Sequence, residues 1–152
     1  MTQLTWKLKT FEHLTPFELY AVLRLRSEVF VVEQNCAFLD MDNIDLSCYH
    51  LMGWNENNLV AYTRLMDKHV KYDMMSIGRV VTSPAYRGQG FGMELMKQSI
   101  DRLYDLFGKN PIKIGGQLYL RRFYESFGFE KSSEIYLEDN IEHIEMIKPL
   151  SN

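Results

Sequence analysis

A chain of 152 residues, 46% hydrophobic and 24% charged, has the size and balance of one globular domain with a core of its own. Its formal net charge of -3, with no run of Lys or Arg, excludes a general nucleic-acid binder, whose affinity rests on concentrated basic side chains. No apolar run approaches the roughly 20 residues of a bilayer span, and Met1 to Thr10 lacks the continuous apolar stretch of a secretory signal, so the expected address is cytoplasmic.

Leu4 to Lys9 alternates apolar and polar residues, as a strand with one buried face does. Thr15-Pro16-Phe17-Glu18 joins a capping-box pair, Thr15 and Glu18, to a proline at the first helical position. Leu19, Val22, Leu23, Arg26 and Phe30 then carry that helix to about Val32. Glu33 to Leu46 is a polar, irregular loop. Its Asp40, Asp42 and Asp45 lack the glycine and terminal glutamate of a calcium loop, and read either as a solvated acidic segment or as an electrostatic lip that favours amines. Cys36 and Cys48 match no metal spacing and read as free thiols.

Tyr49 to Trp54 and Leu59 to Met66 flank Asn55-Glu56-Asn57-Asn58 and should pair as a hairpin. Met75 to Thr82 is a further strand. Phe91, Leu95, Met96, Ile100, Leu103 and Phe107 follow a helical stripe that stops at Gly108. Pro111 to Ile114 predicts a short strand, Tyr119 to Phe127 a short helix stopped by Gly128, and Glu134 to Leu137 with Ile144 to Ile147 a closing hairpin. With no repeat and no Pro/Gly-rich linker, a single domain over residues 1–152 is expected.

Between the strand ending at Thr82 and the helix beginning near Phe91 lies Arg87-Gly88-Gln89-Gly90-Phe91-Gly92. Three glycines let backbone N–H groups approach an anion, the helix N-terminus adds positive potential at the same place, and Arg87 adds a charge-assisted contact. The spacing fits neither a dinucleotide fingerprint nor a P-loop. By itself, a tight turn needing glycine for geometry alone is the alternative.

The segment resembles the R-x-x-G-x-G/A signature of the GNAT acetyltransferase superfamily, and Arg122-Phe123-Tyr124-Glu125-Ser126-Phe127-Gly128-Phe129 resembles the F-Y-x-x-x-G-F segment on that family's last helix. Phe30-Val31-Val32-Glu33-Gln34-Asn35-Cys36, His50, Gly78-Arg79-Val80 and His143 are similar to the ElaA-like branch, so the likeness covers nearly the whole chain. It implies a mixed α/β (α+β) fold: a central, largely antiparallel sheet splayed at the cofactor site, with helices on both faces and a bulge near Val80 to Thr82.

The resemblance implies acetyl-coenzyme A as cosubstrate and no metal. Val80, Val81 and Thr82 would hold the pantetheine arm and thioester oxygen through their backbone, and Arg87, Gly88, Gln89, Gly90, Phe91, Gly92 and Met93 the pyrophosphate. Gln117 is a candidate pantetheine contact or a plain loop residue. Tyr124 is the candidate acid for the leaving thiolate, its alternative being an aromatic packing residue. Several relatives place a basic carboxylate on the fourth strand, which Ser76-Ile77-Gly78-Arg79 lacks. Glu33, His50 and His143 are the substitutes. Glu33 would act through a water, unless it is tied up in a salt bridge with Arg79.

The expected activity is direct acetyl transfer, within a ternary complex, to a small-molecule or peptide amine. The alternative is an acetyl-coenzyme-A-binding sensor or interaction module with little or no turnover. Edge strands near the C-terminus add the expectation of a homodimer.

Overall fold

Two antiparallel four-stranded sheets meet edge to edge in a computed structural model that describes residues 2–150. The strands are β1 (Thr5–Thr10), β2 (Tyr49–Asn55), β3 (Asn58–Met66), β4 (Ser76–Thr82), β5 (Ile112–Gln117), β6 (Glu130–Lys131), β7 (Tyr136–Glu138) and β8 (Ile141–Lys148). The first sheet has the order β1-β2-β3-β4; in the second, β5 and the short strands β6 and β7 all pair with β8. β4 and β5 run parallel and bridge at Met75 and Ile112, which joins the halves into one mixed, largely antiparallel surface. Among the described residues no helix is long and apolar enough to cross a membrane.

The helices are α1 (Pro16–Arg26), α2 (Phe91–Phe107) and α3 (Arg121–Glu125). The capping box at Thr15 is complete: its hydroxyl accepts from the Glu18 N–H at 3.1 Å, and the Glu18 carboxylate accepts from the Thr15 N–H at 2.9 Å. Side chains alternate across a strand, so the neighbours Ala61 and Tyr62 on β3 face opposite helices. Val22, Leu25 and Val29 pack with Met52, Tyr62 and Val81 on one face. On the other, Leu95 covers Leu51 and Ala61, while Met96, Ile100 and Leu103 meet Ile77, Ile112, Ile144 and Met146. Leu95 and Leu103 are wholly buried, each contributing about 1.5–3 kcal/mol.

Several elements differ from their sequence-based bounds, β5 reaching Gln117 and β8 running from Ile141 to Lys148 among them. The first helix changes to π-helical geometry over Ser27–Glu33 instead of running regularly to Val32, and such widened turns re-aim the side chains that follow. The hairpin strands extend through Asn55 and Asn58, leaving Glu56 and Asn57 as the turn. The helix expected over Tyr119 to Phe127 is a 3-10 turn at Leu118–Leu120 followed by α3. β6 is two residues long, too short for periodicity to mark.

Asp40, Asp42 and Asp45 form neither a solvated acidic loop nor an electrostatic lip. Arg26, fully buried, bonds Asp40 at 2.8 Å and Asp45 at 2.7 Å. Arg64, also fully buried, bonds Asp42 at 2.7 Å and Asp45 at 3.0 Å, and Arg79 bonds Asp40 at 2.8 Å. Three guanidiniums from three elements thus neutralise three carboxylates and fasten the loop down.

Candidate active site

β4 and β5 part beyond Met75 and Ile112, leaving their facing edges without ladder partners among the described residues. The register explains how β4 turns away: Arg64 pairs with Gly78 and Tyr62 with Val81, so β4 uses one residue more than β3 over this stretch. That extra residue is a bulge with Arg79 at φ +51. The gap opens into a cleft of about 640 Å³, lined by Val80, Val81 and Thr82 on one side and by Gly115, Gly116 and Gln117 on the other.

At one end of the cleft the glycine loop delivers the chain into α2. Gly88 and Gly90 have φ of +82 and +81, and a Cβ at either would meet no atom within 4 Å. Gly90 is the N-cap residue and offers no side chain, so the first-turn N–H groups at Phe91, Gly92 and Met93 have no side-chain cap. Gly92, by contrast, has ordinary helical geometry, and a Cβ there would sit 3.9 Å from the Phe123 ring. Phe91 buries its ring, whereas the side chains of Gln89 and Met93 are exposed. Arg87 turns to Glu33, at 2.7 and 2.8 Å, which corrects the expected Glu33–Arg79 pairing. That bond holds the Glu33 carboxyl below its usual range.

Gln117 is the last residue of β5, not part of the loop after it. Its amide exchanges two 3.1 Å hydrogen bonds with Gln34, bridging the π-helical turn to the splayed strand. Tyr124 lies against β5 where glycine makes room: a Cβ on Gly116 would be 2.8 Å from the Tyr124 ring. Burial pushes the Tyr124 phenol above its ordinary pKa.

The two histidine candidates separate. His50 is buried outside the cleft. Its Nε2 donates to the Asp45 carbonyl at 2.9 Å, so its Nδ1 accepts from the Tyr62 hydroxyl at 2.6 Å, and burial lowers its pKa. With both nitrogens occupied, it is excluded as the base. His143 lines the cleft, paired in register with Gln117. Its Nδ1 lies 2.8 Å from the Ile141 carbonyl and its Nε2 3.4 Å from a Glu138 oxygen.

Glu138, Tyr72 and Tyr136 escaped the sequence reading, and Gln34 entered it only as part of the Phe30–Cys36 segment, without a role. The two tyrosine hydroxyls converge over Gly115, where a Cβ would lie 2.7 Å from one and 2.9 Å from the other. The signal in the sequence was Gly115-Gly116 inside a strand, which marks close approach from both faces.

Residues 28–150 match the family described as Acetyltransferase (GNAT) domain. Protein ElaA of Escherichia coli (strain K12) is 39% identical over 94% of this chain and 95% of its own. The crystal structure of Escherichia coli ElaA aligns at a TM-score of 0.89, covering 95% of this chain and 99% of that one. An acyl-CoA N-acyltransferase from Pseudomonas aeruginosa is similar at 43% identity and a TM-score of 0.91, again over 95% and 99% of the two chains. A UPF0039 protein of Schizosaccharomyces pombe is 43% identical over 96% of this chain and 97% of its own.

Proposed function

The chain belongs to the GNAT acetyltransferase family, in its ElaA-like branch, and on that premise we propose that residues 1–152 form a single-domain N-acetyltransferase. It moves the acetyl group of acetyl-coenzyme A to the amine of a small molecule or peptide, directly, within a ternary complex. The observation that carries this reading is the open glycine cradle at the cleft: Gly88 and Gly90 leave space where any side chain would project, ahead of a 17-residue helix whose first N–H groups lack a side-chain cap.

Acetyl-coenzyme A, when bound, supplies an activated thioester. The cradle N–H groups from Gly88 to Met93, with Arg87, hold its diphosphate. The free edges at Val80 to Thr82 and at Gln117 offer backbone and side-chain partners to an amide-bearing arm, since unpaired strand edges seek such partners. Tyr124, kept protonated by burial, hands its proton to the leaving sulfur. Glu33 reaches the acceptor's proton only through a water, and accepts it poorly while Arg87 grips it.

Calorimetric titration with acetyl-coenzyme A tests the binding half; an intact protein that does not bind it overturns the reading. A panel of amines followed by thiol release and product mass tests the transfer. A binding module without turnover is the second reading, favoured by the absence of any carboxylate in Ser76-Ile77-Gly78-Arg79. Binding without acceptor-dependent thiol release selects it.

A further inference from the structure

We propose that His143 and Glu138 form the acceptor site of this enzyme and take a primary ammonium group, which Glu138 holds while His143 Nε2 accepts its proton. This rests on the acetyltransferase reading above and names that reading's base and substrate class.

The tautomer follows from geometry. A carbonyl only accepts, so the 2.8 Å contact with Ile141 places a hydrogen on His143 Nδ1 and leaves the neutral ring's lone pair on Nε2. That lone pair lies 3.4 Å from Glu138 Oε2. In the neutral ring these are two facing acceptors, which a proton on Nε2 would turn into an ion pair, and one ammonium nitrogen with three N–H groups can donate to both. The His143 side chain is only 10% exposed, against 51% for Glu138, so the ring is anchored while the carboxylate is open to an entering ligand. The Tyr136 ring, 5.8 Å away at 30°, backs the imidazole.

The other charged groups lining the cleft leave this role to Glu138. Glu33 is bound to Arg87 and Asp42 to Arg64, while Arg79 is held by Asp40. Tyr72 and Tyr136 stay neutral because burial raises both phenols. Lys71 also lines the cleft, and Asp139 lies beyond Glu138 at the hairpin tip. Neither is paired with His143 among the described residues, and since the Glu138 carboxylate also favours the Lys71 ammonium, an entering ammonium competes with Lys71 for Glu138.

Position relative to Tyr124 completes the case. Gly116 backs onto the Tyr124 ring, and the next residue, Gln117, pairs with His143. Successive residues face opposite sides of a strand, so the acid and the base stand on opposite faces of β5 at the splayed end. The ammonium gives one proton to Nε2, and the resulting amine attacks the thioester carbonyl carbon. The C–N bond forms as the C–S bond breaks, and the sulfur takes the Tyr124 proton. The second nitrogen proton restores Tyr124 through solvent, and His143 discharges the first, so the products are one amide, one thiol and one released proton.

Three measurements test the site, all with acetyl-coenzyme A or coenzyme A binding verified first; failure at that step overturns the enzyme reading, and this proposal with it. The ¹⁵N spectrum of His143, assigned through its backbone in the wild-type protein, should show the Nδ1–H tautomer in the neutral ring; an Nε2–H tautomer overturns the proposal. Calorimetry with methylamine, phenethylamine and spermidine on the coenzyme A complex should find at least one ligand whose Kd rises about tenfold or more in Glu138→Gln and not in the exposed control Glu142→Gln. No binding by any of them, or equal affinity in Glu138→Gln, overturns it. For an amine that is turned over, His143→Gln should lower kcat about 10²- to 10⁴-fold with little change in the KM for acetyl-coenzyme A. A kcat within about twofold of wild type, with chemistry limiting, also overturns it.

Discussion

Glu33 and Arg87 are joined by two parallel hydrogen bonds of 2.7 and 2.8 Å, between side chains each about two-fifths exposed. The carboxylate comes from the π-helical turn after α1, and the guanidinium from the loop that opens α2. An internal carboxylate therefore occupies the arginine that the proposed function assigns to a diphosphate, so the two anions compete. Glu33→Gln should tighten acetyl-coenzyme A binding about two- to fivefold, the modest scale of an exposed ion pair, as read by calorimetry. Weaker binding in that variant means that Glu33 organises the cradle instead of blocking it.

The cradle glycines should separate by backbone angle. Gly90→Val meets no steric obstacle but must adopt φ +81, which costs a branched residue about 1–2 kcal/mol and fills the space the anion needs. The variant should fold, unfold at a slightly lower temperature, and lose acetyl-coenzyme A binding. Gly92→Ala carries no such strain, since its Cβ would make an ordinary 3.9 Å contact with Phe123. Any affinity lost there, at unchanged Tm, reports close approach of the ligand alone. Unchanged affinity in both variants removes the loop from the site.

What was legible in the sequence was local. Thr15 and Glu18 are three residues apart and make their own cap, and the glycines at 88 and 90 take positive φ within one loop. The ion network was not legible: Arg26, Arg64 and Arg79 belong to three elements, and the aspartates they bind sit in a loop without periodicity. An acidic stretch read in isolation looks solvated because its partners are 14 to 39 residues away. For His143 the expected closing hairpin placed the strand, but the tautomer is set by the Ile141 carbonyl two residues back, a side-chain geometry that residue spacing does not encode.

The network makes a stability prediction with a definite sign. Burial alone would raise the carboxyls of Asp42 and Asp45, but hydrogen bonds and charge from Arg64 and Arg26 outweigh it and hold both below the ordinary aspartate value. A depressed folded-state pKa contributes stability that is present above the unfolded value, about 3.9, and is lost as the pH falls below it. Wild-type stability in urea should therefore drop between about pH 5 and lower values, and Asp45→Asn should flatten that slope. At neutral pH Asp45→Asn leaves Arg26 and Arg64 each with a weakened partner, costing about 3 kcal/mol, the low end for a broken buried pair because Asp40 and Asp42 remain. Tm should fall by about 6–12 °C. A change below about 2 °C means that the guanidiniums are satisfied without Asp45.

Tyr124 carries the last prediction because its packing and its proton can be separated. The ring fills a space that exists only because residue 116 has no side chain, and Tyr124→Phe preserves that fit while deleting the hydroxyl. Acetyl-coenzyme A affinity and Tm should barely move, while kcat falls about 10²- to 10⁴-fold, with the loss in kcat rather than in the KM for acetyl-coenzyme A. Gly116→Ala does the reverse: its Cβ would lie 2.8 Å from the ring, so the hydroxyl survives but is pushed out of place. If Tyr124 is the acid, both variants lose turnover, and a basic amine with a more activated thioester donor should recover part of the loss in each, because a better leaving group needs the proton less. A Tyr124→Phe kcat within about twofold of wild type, with chemistry limiting, makes Tyr124 a packing residue and leaves the thiolate to be protonated by solvent.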